Sequence, residues 1–122
     1  MPLALLETML AGLSPTAHPG VVDFTTRDDC AIYPWSRNRF LLFTMDIITP
    51  VANDALTFGR IAAANALSDI YATGGAPLMA LSFLAFPVGQ IDDAAASEIQ
   101  RGGREVLARA DCPLVGGHTL DD

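Results

Sequence analysis

The stretch bracketed by Asp54 and the Gly74-Gly75 pair constrains the fold more than any other part of this chain. An aspartate can accept hydrogen bonds from the first free amides of a helix, and a glycine pair supplies the left-handed residue on which helices end. The text FGRIAAANALSDIYAT between them therefore predicts one long helix that begins near Ala55. A second helix is predicted where Asp92 or Asp93 can cap AAASEIQRGGREVLARA, with Ile99, Val106 and Leu107 on one face and Glu98, Arg101, Glu105 and Arg109 solvating the other. Gly102-Gly103 weakens that helix in its middle.

The remaining elements are shorter. Leu3, Leu6, Leu10 and Leu13 fall at helical spacing behind Pro2, which predicts a short amphipathic helix over residues 2–13. SPTAHPGVVDFTT, residues 14–26, is a connecting loop rich in turn formers. Cys30 to Tyr33 and Arg39 to Met45 read as a hairpin, and because Phe40 to Met45 does not alternate, both faces of that second strand are expected to be covered. Pro77 to Phe86 reads as a core strand, and Leu114-Val115 as a short strand entering Gly116-Gly117-His118. The order helix, hairpin, helix, strand, helix, strand predicts an α+β fold, with helices packed on a largely buried sheet.

Composition narrows the function. The 122 residues suit one domain, with a core that needs no disulfide or structural metal. Acidic residues outnumber basic ones 14 to 7, a formal charge of -7, which argues against a nucleic-acid partner because such binding relies on cations that displace counterions. Every basic residue is an arginine; the sequence contains no lysine. Cys30 and Cys112 lack CxxC spacing, so neither a disulfide framework nor a zinc site is suggested, and a reducing cytoplasm is expected. No apolar run approaches the ~18 residues of a membrane span, and Met1 to Leu13 lacks the pattern of a signal peptide. A hydrophobic share of 51% is high for a lone domain of this size, which points to a partner chain or a further domain covering apolar surface.

Acidic residues that interrupt apolar text are the first candidates for chemistry: the Asp28-Asp29 pair, Asp46 and Asp69. Carboxylates drawn into a dry core need partners, and a divalent cation tolerates several at once. Magnesium takes oxygen ligands, and is held by one or two carboxylates together with phosphates. A structural role is open for each: Asp28 or Asp29 can cap a turn, and Asp46 can bond the loop after its strand. Ala62, Asn65 and Asp69 share one stripe of the long helix, so something polar faces it, either a ligand or the amides of a neighbouring loop. Gly116-Gly117-His118-Thr119 can let a backbone approach a phosphate, or can be an ordinary loop. His18 has no evident partner in the sequence. Cys30 beside the acidic pair and Cys112 near a helix C-terminus are poor nucleophiles and are expected to be packing residues.

Three segments in order, DIITPV from Asp46, FGRIAAANALSDIYATGG from Phe58 and VGGHTLDD from Val115, resemble the selenophosphate synthetases (selenide, water dikinases). The likeness runs from about Leu3 to the last residue. Aminoimidazole ribonucleotide synthetase and thiamine-monophosphate kinase, of the wider superfamily, are weaker matches. The resemblance implies the N-terminal domain of the aminoimidazole ribonucleotide synthetase-like fold, with helices on a mixed, mainly antiparallel sheet. It also implies ATP-dependent phosphorylation of selenide to selenophosphate, with AMP and orthophosphate released and magnesium bridging aspartates to the nucleotide. Asp29 matches the second aspartate of a DDA metal motif, and Asp69 matches the helix aspartate that also binds metal. Asp46 matches the aspartate beside the nucleotide phosphates and joins the expected metal ligands, with Met45 replacing a family threonine. Gly117, His118 and Thr119 match a GH(S/T) nucleotide segment that acts from the neighbouring subunit. A homodimer is implied.

The family also carries a glycine-rich loop with a reactive cysteine or selenocysteine and a catalytic lysine ahead of its first helix, and a second domain that supplies a further metal ligand. Neither is in this sequence. The expectation is a truncated ATP- and magnesium-binding domain, inactive on its own, with a non-catalytic dimerisation domain or a relative acting on another acceptor as the alternatives.

Overall fold

The computed structural model describes residues 2–121. Contacts divide the chain into two compact units, Met1–Thr44 and Met45–Asp122.

In the first unit, α1 (Leu3–Ala11) ends at Gly12, and Arg27 reaches back to Glu7 with a 3.4 Å ion pair. The loop that follows is organised by Asp23. Its carboxylate accepts from the amides of Thr16 (2.8 Å) and Thr25 (3.0 Å) and from the Thr25 hydroxyl (2.7 Å), and these bonds hold its pKa below the ordinary value. Strands β1 (Ala31–Ser36) and β2 (Arg39–Phe43) form the expected antiparallel hairpin, with Asn38 left-handed at the turn. Pro34, Trp35 and Ser36, expected in the loop, belong to β1; the register shift between Pro34 and Ser36 accommodates a residue that cannot donate a ladder hydrogen bond. The expectation that β2 is covered on both faces is corrected: Phe40 and Phe43 are exposed. An unbroken apolar run says that a surface wants cover, not which molecule supplies it.

In the second unit, α2 (Ala55–Ala72) is capped as predicted. Asp54 accepts from the Thr57 amide at 2.8 Å. At the other end Gly74 is left-handed, and the amides of Gly74 and Gly75 return to the carbonyls of Tyr71 and Ile70, each at 2.9 Å. Asp92 caps α3 (Asp93–Arg109) through the Ala95 amide. The glycines expected to weaken α3 instead seat it on α2. A Cβ on Gly102 would be driven into the Leu56 carbonyl, and one on Gly59 into the Ile99 carbonyl, so the two backbones pass where no side chain fits. Arg60 ties the crossing to Glu105 at 2.9 and 2.5 Å.

Strands β3 (Ala80–Phe86) and β4 (Leu114–Asp121) pair in parallel. Leu67, Leu107 and Cys112 form the buried core, with Ala63, Val106 and Leu114 packed against it. β4 is longer than the two residues foreseen, because Gly116 and Gly117 are drawn into register with Leu81 and Ser82, a pairing with a distant segment that overrides glycine's low strand preference. The core strand foreseen over 77–86 is corrected in the same way as β2. Leu84 is buried, whereas Leu81, Phe83 and Ala85 form an exposed face beside His118 and Leu120. The fold is α+β, with one antiparallel and one parallel strand pair. Among the described residues no helix is long and apolar enough to cross a membrane.

Candidate functional site

Asp46 lies outside regular structure, after Thr44 and Met45, and Asp69 sits half-buried near the C-terminal end of α2. Their side chains meet. The Asp46 carboxyl is pushed above its ordinary value, first by loss of solvent, then by the charge of Asp69, and by a hydrogen bond between the two groups. Two carboxyls can share a hydrogen bond only if one keeps a proton. The polar partner expected for the Ala62, Asn65, Asp69 stripe is thus another carboxyl. Asn65 is exposed, and its carbonyl accepts from Ser68.

The pair fits a magnesium ion: its donors are all oxygen, it holds a like-charge contact that a cation would relieve, and one or two carboxylates are what magnesium takes from a protein. Among the described residues no group of three or more His, Cys, Asp or Glu side chains is assembled. Asp29 is an exposed residue of the first unit, directly before buried Cys30.

Gly117, His118 and Thr119 lie in β4, within a strand and not in a loop. Gly117 is held against the Ser82 backbone, where a Cβ has no room, and His118 stacks on Phe83 with ring centroids 6.3 Å apart. All three line a concavity of about 1000 Å³ between α3 and β4. Its opposite wall was not foreseen from sequence: Arg104 and Gln100 of α3, with the Gln100 amide donating to Ser82 Oγ at 2.9 Å. The sequence did hold a signal for Arg104. Its neighbour Arg101 has glutamates at both helical spacings and pairs with Glu98 (2.6 Å) and Glu105 (3.3 Å), whereas Arg104 forms no ion pair with a described residue. Cys30 and Cys112 are both buried, and burial raises the Cys112 pKa, which agrees with a packing role.

Two capped helices crossing on glycines, a parallel strand pair and an aspartate pair beside the long helix describe a domain class met elsewhere. Residues 27–122 match the family of AIR synthase related protein, N-terminal domain, and the chain belongs to that family. More particularly, it is similar to proteins named selenide, water dikinase. It is 42% identical to that of Sulfurimonas denitrificans over 121 residues, 98% of this chain and 35% of the relative. It is 49% identical to that of Pseudomonas putida over 96 residues, 79% of this chain and 28% of the relative. With that of Pseudomonas aeruginosa it shares 43% over 122 residues, 96% of this chain and 35% of the relative. The chain spans about a third of the length of these relatives.

Proposed function

We propose that this chain is the magnesium- and ATP-binding part of a selenide, water dikinase, the enzyme class that makes selenophosphate from selenide and ATP with release of AMP and orthophosphate. The observation that carries the reading is the contact between Asp46 and Asp69, two segments that the family resemblance singles out independently. In this reading Asp46 and Asp69 hold magnesium, and Gly117, His118 and Thr119 face the nucleotide. The ion, when bound, neutralises charge on phosphate oxygens. The residues of this chain position it.

Cytoplasmic location and a homodimer belong to the same proposal. The exposed face of Leu81, Phe83 and Leu120 supports the dimer, because an apolar patch of this kind in a soluble chain marks an interface. That face equally favours a second reading, a domain kept for assembly alone. Calorimetric titration of magnesium-ATP separates the two. The first reading predicts metal-dependent heat with the wild-type chain and none with an Asp46→Ala, Asp69→Ala double variant; no heat from the wild type leaves the assembly role. Light scattering at low micromolar concentration tests the dimer, and a clean monomer contradicts it.

A further inference from the structure

The turn of the β1–β2 hairpin is a cationic point in an acidic chain. From Cys30 to Met45 there is no aspartate or glutamate, and Arg37 and Arg39 stand on either side of Asn38, the left-handed residue of the turn. Three other arginines are tied to glutamates: Arg27 to Glu7, Arg60 to Glu105, and Arg101 to Glu98 and Glu105. Arg37 and Arg39 form no ion pair with a described residue. Every residue from Trp35 to Phe40 is exposed, Trp35 at 66% and Phe40 at 61%. The register shift between Pro34 and Ser36 takes Trp35 out of the ladder. The preceding loop packs on the strand just before this point, with Gly20 against Pro34 and the His18 ring 5.2 Å from that of Tyr33. The turn beyond is uncovered, and it carries two guanidinium groups and two aromatic rings.

We propose that this turn is a docking site for a short acidic peptide segment of a partner protein, in which Arg37 and Arg39 take carboxylates and Trp35 and Phe40 take an apolar side chain. A guanidinium matches a carboxylate with two parallel hydrogen bonds. Tryptophan and arginine are the side chains that most often dominate binding energy at protein interfaces, and an aromatic ring on a tight turn loses little freedom when it is covered. Charge sets the size of the occupant. At about 3.3 Å per strand residue, the length of β1 separates Arg37 from Asp29 by more than about 15 Å. Exposed charges act over only about 8 Å at physiological salt, so the turn is positive locally and not as part of a basic surface. A nucleic acid or an anionic membrane would extend past the turn and meet a chain of net charge -7, whereas a segment of a few residues stays within the positive patch. The site involves neither the aspartate pair nor a metal, so it stands apart from the proposed function.

The test applies the 122-residue chain, in EDTA, to an array of random short peptides, and then titrates the chain with the acidic peptide it retains best. Trp35 is the only tryptophan, so its fluorescence reads the turn itself. Net charge alone would make this chain favour basic peptides. The proposal predicts that acidic members carrying an apolar residue are retained, and that they shift the Trp35 emission with an affinity that falls as salt rises. An Arg37→Gln, Arg39→Gln double variant should bind the best acidic peptide about tenfold or more weakly, the factor carried by one charge-assisted hydrogen bond. Arg37→Lys, Arg39→Lys should recover part of that loss, and Arg109→Gln, at the end of α3, should match the wild type. Retention of no acidic peptide, an unmoved Trp35 emission, equal affinity in the Gln double variant or an equal loss in Arg109→Gln overturns the proposal. So does tighter binding to oligothymidylate, or to vesicles of equal parts phosphatidylcholine and phosphatidylserine, than to the best acidic peptide. Unchanged far-UV circular dichroism and melting of the unliganded Gln double variant show that it is folded.

Discussion

Adjacent glycines in α3 should respond in opposite directions to the same substitution. In an exposed helix interior, Gly→Ala stabilises by about 1 kcal/mol because alanine loses less backbone freedom on folding. At Gly103 a Cβ would meet the Gly59 carbonyl oxygen at 3.6 Å and the Ala63 Cβ at 4.0 Å, ordinary contact distances, so the propensity gain should survive. At Gly102 the Cβ would penetrate the Leu56 carbonyl oxygen while also standing 3.0 Å from the carbonyl carbon and 3.1 Å from the Arg60 amide nitrogen. These are backbone atoms of α2, so relief requires the helices to move apart. Overpacking of this kind costs roughly 1–3 kcal/mol, and the upper end applies where no side chain can yield. The net expectation is a loss of about 1–2 kcal/mol for Gly102→Ala against a gain of about 0.5–1 kcal/mol for Gly103→Ala. At roughly 3–6 °C per kcal/mol for a domain of this size, the two variants should melt about 10 °C apart on either side of the wild type. Thermal melts followed by circular dichroism, with urea unfolding as a second measure, suffice. A Gly102→Ala variant as stable as the wild type would refute the glycine crossing.

Three further outcomes follow from single contacts. Asp54→Ala removes the bond to the Thr57 amide and should lower stability by about 1 kcal/mol, read by urea unfolding. Asp46 has a folded-state pKa raised above 3.8, so its contribution favours the fold below that value and is lost as pH rises through the folded pKa; Asp46→Asn should therefore match the wild type near pH 4 and melt higher at pH 7. The gain is less than about 1 kcal/mol, since the exposed side chain is screened by water, and a gain independent of pH would contradict the carboxyl contact. In a Cys30→Ser background, Cys112 should react with a disulfide reagent slowly in buffer and at the rate of a free thiol in denaturant, because burial both shields the sulfur and raises its pKa.

Features decided within a few residues were legible in the sequence. Asp54, Asp92 and Gly74-Gly75 bound their helices as local chemistry requires, and the stripe of small residues around Asp69 correctly marked a polar neighbour. What escaped was set by distant segments. Gly102 reads as a flaw in α3 until Leu56 is placed against it, and Gly116-Gly117 read as a loop until β3 supplies the register. Apolar runs at Phe40 to Met45 and Pro77 to Phe86 announced buried surface, yet this chain alone leaves much of it open.

The central claim is that Asp46 and Asp69 together hold a divalent cation that carries ATP. Manganese, which takes the same oxygen donors as magnesium, makes it directly measurable, because its sharp electron-paramagnetic signal is lost when the ion binds protein. With ATP present at a concentration that alone leaves a known residual signal, adding the wild-type chain should reduce that signal further, and an Asp46→Asn, Asp69→Asn variant should not. An equal reduction by both proteins, or none by either, would contradict the claim.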